Sequence, residues 1–198
     1  IKDFNNNKYV IIYNGELYNT KELRDDLISK GYTFSTSCDT EVVLNSYIHY
    51  GDDCVNLLNG IFAFAIYDKF NKNIFLARDR LGIKPLFYTI TSKGTFIFSS
   101  EIKGLLEHPG VDAIIDKECI MELFGLGPAH TPGRTLFKNI YEIKAGFLAN
   151  YSLEYGLVKK MYWDLKTKET TDTTKDAIEQ IHNLLCDATK RQLVSDVG

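Results

Sequence analysis

The hydrophobic pattern changes period several times along the chain, and each change predicts an element. Residues 8–13, Lys-Tyr-Val-Ile-Ile-Tyr, form a β-branched run that reads as a strand ended by Asn14-Gly15-Glu16. The polar, Asn-rich residues 1–8 before it read as a loop or turn. Asn19-Thr20-Lys21-Glu22 has the pattern of a capping box, and Leu23, Leu27 and Ile28 follow at helical spacing. A helix is therefore expected over residues 20–30, stopped by Gly31. Val43, Leu44, Tyr47 and Ile48 predict a second helix that opens within residues 36–41 and ends at Gly51. A short helical turn is expected over 53–58.

Residues 61–67, Ile-Phe-Ala-Phe-Ala-Ile-Tyr, are apolar on both parities, which predicts a strand covered on both faces. With residues 74–77 it forms an antiparallel hairpin. Further strands are expected at 95–99, 136–143, 147–151 and 159–163, and short helices at 101–106 and 116–124. The Gly/Pro-rich stretch 125–133 reads as a loop, and its His130 as a surface residue. Residues 166–174 are almost free of apolar side chains and read as a linker. The final helix, 175–193, carries Ile178, Ile181, Leu184, Leu185 and Ala188 on one stripe that needs a partner. Strands in hairpin-like neighbours flanked by helices favour an antiparallel α+β layered fold over a doubly wound parallel sheet.

Composition narrows the function. The chain has 198 residues, 44% of them hydrophobic, with 12 Phe and 12 Tyr, enough for a well-packed core. A net charge of −3 leaves no basic excess to hold a phosphate backbone, so nucleic acid is not the expected partner. No apolar run approaches a membrane span and no signal-peptide pattern is present. Cys38, Cys54, Cys119 and Cys186 are widely and irregularly spaced, as free thiols of a reducing cytosol are. His182 and Cys186 stand four apart on the last helix, but two ligands do not make a zinc site.

Two stretches carry candidate chemistry. Asn14-Gly15 after a strand reads either as a tight turn or as an oxyanion hole, in which the Asn14 amide and the Gly15 N–H converge on one oxygen. Asp39 at a helix start reads either as a first-turn acid that suits the dipole or as a carboxylate awaiting a ligand ammonium. The charged segment Arg78-Asp79-Arg80 between two buried strands reads as a hydrogen-bonded turn with Asp79 paired to a neighbouring Arg.

Several motifs in order then resemble one family. They are residues 13–19 (Tyr-Asn-Gly-Glu-Leu-Tyr-Asn), 37–41 (Ser-Cys-Asp-Thr-Glu), 59–64 (Asn-Gly-Ile-Phe-Ala-Phe), 78–86 (Arg-Asp-Arg-Leu-Gly-Ile-Lys-Pro-Leu) and 99–103 (Ser-Ser-Glu-Ile-Lys). Residues 133–137 (Gly-Arg-Thr-Leu-Phe) and 195–197 (Ser-Asp-Val) follow. Together they resemble the N-terminal glutaminase (class II glutamine amidotransferase) domain of glutamine-hydrolysing asparagine synthetases, over nearly the whole chain.

The resemblance implies an Ntn-hydrolase-like four-layer αββα sandwich of two antiparallel sheets. It implies glutamine as substrate, Asn14 and Gly15 as the oxyanion hole, and Glu16 and Asp39 as holders of the glutamine α-ammonium. The family's nucleophile is an N-terminal cysteine whose own α-amino group is the base. Ile1 cannot replace it, and the family's carboxylate-gripping Arg segment also falls upstream, so the chain by itself is expected to be inactive. Residues 1–165 are expected to be the glutaminase domain without its N-terminal segment, and 166–198 the linker and first helix of a C-terminal synthetase domain in cis. No cofactor is expected in the glutaminase domain; ATP and Mg belong to the synthetase domain. The parent is expected to be cytoplasmic, with homo-oligomers possible. The alternatives are an inactivated scaffold domain of a β-lactam synthetase-like relative and a different transferase on the same glutaminase fold.

Overall fold

The computed structural model describes residues 1–5, 7–127 and 131–193. His130 and the Ser195-Asp196-Val197 motif lie outside the described residues. Two compact units are present, Ile1–Asp164 and Leu165–Gly198.

The first unit is built on two antiparallel sheets. A six-stranded sheet has the order β1-β2-β3-β4-β8-β9, from β1 (Lys2–Phe4), β2 (Asn7–Leu17), β3 (Gly60–Asp68), β4 (Asn73–Arg78), β8 (Phe147–Ser152) and β9 (Gly156–Met161). A three-stranded sheet has the order β6-β5-β7, from β5 (Phe87–Ile90), β6 (Phe96–Ser99) and β7 (Ile140–Glu142). The doubly apolar strand is β3, and its alternation explains the layers. Phe62, Phe64 and Ile66 join a core with Leu23, Leu27, Val42, Val43 and Leu44 of helices α1 (Thr20–Ser29) and α2 (Asp39–Tyr50). Ala63 and Ala65 point the other way, into a second core with Leu86, Tyr88 and Ile143. Small side chains on that face let the two sheets approach. After α2 come a 3₁₀ turn (Gly51–Asp53) and α3 (Cys54–Leu57); α4 (Ile102–Leu106) lies by β5 and β6, and α5 (Lys117–Leu126) is N-capped by Asp116, which accepts from Glu118 N–H at 2.9 Å.

Four expectations need correction. The polar N-terminal stretch forms a hairpin, with Lys2↔Tyr9 in register and Asn5 at a positive φ in its turn. The Asn19 side chain caps no helix; its amide donates to Leu57 O at 2.9 Å and its Oδ1 accepts from Asn59 N–H at 3.0 Å. Ile28 does not join Leu23 and Leu27 inside but is exposed. The strand expected over 136–143 shrinks to β7, because Asn139 takes a positive φ and Thr135 Oγ bonds the carbonyls of Phe137 and Ile140.

The second unit holds α6 (Thr174–Gln192), capped by Thr173 Oγ, which accepts from Asp176 N–H at 3.3 Å. Ile178, Ile181, Leu184 and Leu185 on its apolar stripe are exposed. Among the described residues no helix is long and apolar enough to cross a membrane.

Candidate active site

The Asn14-Gly15-Glu16 triplet is neither a hairpin turn nor a strand end. β2 runs straight through it, with Asn14↔Ala63, Gly15↔Phe62 and Glu16↔Ile61 in register on β3. Its other edge is different. β1 covers β2 only at Asn7–Tyr9, so among the described residues no strand lies beside the rest of that edge.

Hydrogen-bond alternation fixes what that edge offers. Tyr18 N–H donates to Asn59 O on the β3 side at 2.7 Å, whereas Leu17 N–H donates away from β3, to Asp39 Oδ2 at 3.2 Å. In an antiparallel ladder the direction alternates residue by residue. The Gly15 N–H therefore points out of the open edge, two residues before that of Leu17. Asn14 projects from the face toward the second sheet, where it lines a cavity of about 230 Å³ with Ile12, Ala63, Leu86, Phe98 and Ser99. Glu16, of the same parity, is exposed.

Asp39 closes the site from the helix side. It is the first residue of α2, yet Cys38 holds the N-cap position and no side chain caps the helix. Its Oδ2 accepts from Leu17 N–H and from Tyr13 O–H at 3.0 Å. Its Oδ1 lies 3.5 Å from both Cys38 Sγ and Thr40 Oγ1. Asp39 is thus a first-turn acid, as expected, but its carboxylate is bonded to β2 rather than to its own helix. Burial, with the Asp39 charge next, pushes the Tyr13 phenol far above its ordinary value. Beside Asp39 opens a second depression of about 450 Å³, lined by Ile11, Thr36, Cys38, Thr40 and Leu44. Glu41 shapes its rim by accepting from Ser35 N–H at 3.0 Å and Thr36 N–H at 2.8 Å. Asn14, Gly15 and Glu16 thus follow one another along β2, Asn14 toward the second sheet and the Gly15 N–H along the edge, and Asp39 meets the same strand from the helix side at Tyr13 and Leu17.

Sequence reasoning missed Tyr13 and the Leu17 N–H, since both contacts bridge more than twenty residues. It also misassigned Asp79. That buried carboxylate is held by four backbone N–H groups: Leu81 at 3.1 Å and Ile83 at 3.0 Å on Oδ1, Phe62 at 3.3 Å and Lys84 at 2.9 Å on Oδ2. Arg78 pairs instead with Glu142 at 2.6 Å and donates to the carbonyls of Lys84, Ile143 and Gly82. This loop sets Pro85 and Leu86 against the Asn14 cavity. All four cysteines are free; burial raises the thiol pKa of Cys54 and of Cys119. Among the described residues no group of three or more His, Cys, Asp or Glu could hold a metal ion.

The chain is similar to known proteins over most of its length. Asparagine synthetase (glutamine-hydrolysing) 3 of Bacillus subtilis strain 168 is 48% identical over 189 residues, covering 96% of this chain and 30% of the relative. A putative glutamine-hydrolysing asparagine synthetase 2 of Methanocaldococcus jannaschii is 38% identical, covering 95% of this chain and 36% of the relative. The chain thus spans about a third of the length of these curated relatives. Among solved structures, the glutamine phosphoribosylpyrophosphate amidotransferase of B. subtilis, complexed with ADP and GMP, superposes with a TM-score of 0.56 at 19% identity. It covers 85% of this chain and 32% of its own, which shows a shared Ntn-type fold. The glutamine amidotransferase domain model matches residues 3–163, from β1 through β9 and across every strand and helix that frames the β2 edge, and the chain belongs to that family.

Proposed function

We propose that residues 1–165 are the glutaminase module of a larger asparagine synthetase, and that 166–198 begin its synthetase part. The observation that carries this reading is the run Tyr13 to Leu17 of β2, where the Asn14 amide, the outward Gly15 N–H and the Asp39 carboxylate clasped by Tyr13 and Leu17 occur within five residues of one strand. Gly15 and Leu17 N–H groups lie about 6.6 Å apart along such an edge. An extended glutamine spans a comparable length from its amide oxygen to its α-nitrogen. Its amide would sit at Asn14 and Gly15, its ammonium at Asp39 with Glu16 alongside.

The chemistry follows from that pose. A cysteine thiolate attacks the amide carbon, the C–S bond forms, and the π electrons move to oxygen. The Asn14 amide and the Gly15 N–H stabilise that oxyanion. Collapse to the thioester expels ammonia, which takes up the proton held by the general base, and water then releases glutamate. The proposed nucleophile is the N-terminal cysteine of the parent, whose α-amino group serves as base; none of the four cysteines here has one. ATP and Mg would serve the synthetase part, in the cytoplasm, where the ammonia amidates aspartate.

The test is glutamate release by the full-length protein. Asp39→Asn removes a charge-assisted contact of about 1.5–3 kcal/mol, so KM for glutamine should rise roughly ten- to hundredfold. Asn14→Ala should lower kcat about 10²- to 10³-fold. An unchanged KM in Asp39→Asn removes Asp39 from the binding role. A full-length protein that releases no glutamate from glutamine would favour the scaffold alternative.

A further inference from the structure

We infer that Tyr13 is a positioning residue that orients the Asp39 carboxylate for the ligand ammonium. The inference rests on the reading of Asp39 as the ammonium holder.

A carboxylate in the first turn of a helix ordinarily turns back to the helix's own free N–H groups. Asp39 does not. Both of its close donors come from β2, and both go to the same oxygen: Tyr13 O–H at 3.0 Å and Leu17 N–H at 3.2 Å on Oδ2. The other oxygen accepts only weakly, from the Cys38 thiol at 3.5 Å and from Thr40 Oγ1 at 3.5 Å. One oxygen holds two firm bonds, and the other has capacity for a stronger donor. With both torsions of the side chain fixed this way, an incoming ammonium meets a preset acceptor rather than a rotating one, which lowers the ordering cost of binding.

Tyr13 is suited to this work. Its ring packs against the core shared by β2, α1 and α2, so its hydroxyl is aimed. Its raised pKa keeps the phenol protonated, hence a donor, through alkaline pH. Strand parity divides the labour within β2. Tyr13 reaches the helix face and sets the ammonium end of the site, while Asn14 reaches the opposite face and sets the amide end.

The experiment uses Tyr13→Phe and Asp39→Asn, alone and together, in the full-length protein, with KM and kcat for glutamine taken from glutamate release. Phenylalanine keeps the ring and loses the donor. Tyr13→Phe alone should raise KM about threefold to tenfold with little change in kcat, the mark of a lost binding contribution. In the Asp39→Asn background the same change should add nothing further, because its target is gone. An unchanged KM in Tyr13→Phe, alongside a raised KM in Asp39→Asn, overturns this inference and leaves the reading of Asp39 intact. An equal rise in both backgrounds also overturns it, since Tyr13 would then act independently of Asp39. An unchanged KM in Asp39→Asn overturns the reading of Asp39 itself, and the inference with it.

Discussion

Gly15 serves two demands at one position. Its N–H faces the open edge of β2, and its Cα presses on β3, where an added Cβ would stand 2.8 Å from Phe62 Cα and 2.9 Å from Phe62 Cβ. The cause is the register: Gly15 and Phe62 oppose each other as a non-hydrogen-bonded pair, the closer of the two kinds. Gly60 meets the same squeeze from the other strand, with an added Cβ 2.9 Å from Leu17 Cα. Gly15→Ala should therefore push β2 from β3 and destabilise the fold by about 1–3 kcal/mol, read as a lower midpoint in urea. The sequence marks Gly15 as special, since glycine admits a close approach, but it points to a turn or a ligand. The crowding comes from a strand 47 residues later in the chain (position 62 minus position 15), and no local signal carries it. Asp39 is the same case: its type and its helix start are legible, whereas its clasp by Tyr13 and Leu17 is a tertiary fact.

The loop after β4 shows how an element can be fixed by one side chain. Asp79 accepts two backbone N–H groups on each carboxylate oxygen and so ties residues 81–84 to Phe62 of β3. Asp79→Asn replaces one of those oxygens by an NH₂ facing two N–H donors, which cannot be satisfied. Each stranded buried donor costs about 1–3 kcal/mol, so a loss of at least about 2 kcal/mol is expected in chemical denaturation. Because the loop sets Pro85 and Leu86 against the Asn14 cavity, glutamate release in the full-length protein should fall with it. Wild-type stability in this variant would mean that Arg78 alone holds the loop. The sequence shows a charged insertion between two buried strands and hence a satisfied turn. It does not reveal that backbone N–H groups, rather than a guanidinium, are the partners of Asp79. β2 fails in a related way: Asn, Gly and Glu are poor strand formers, and pairing with β3 overrides that preference.

At the scale of the molecule, the layers were legible wherever burial is two-sided. The double apolar parity of residues 61–67 already implies a strand between two cores, and the structure divides it between the helix layer and the second sheet. Carboxylates pin these layers at their margins, which makes stability depend on pH. Burial alone would raise the Asp68 pKa, but N–H groups of Asn71 and Phe70 and the amides of Asn7 and Asn71 together hold it below the ordinary value. Glu41 is likewise lowered: burial again opposes, and Ser35, Thr36 and the nearby Lys2 prevail. A carboxyl whose folded pKa lies below its unfolded one contributes stability that is fully present above the unfolded value and fades as pH falls through the folded one. The melting temperature should therefore hold near neutral pH, begin to drop as pH falls through the ordinary carboxyl range of about 4.3 to 3.9, and go on dropping below it. Asp68→Asn should lower the melting temperature at pH 7 and flatten that acid drop, because its contribution is then absent at both ends of the range. An acid drop as steep as wild type would remove Asp68 from the account and shift the pH dependence to Glu41 and the other carboxylates.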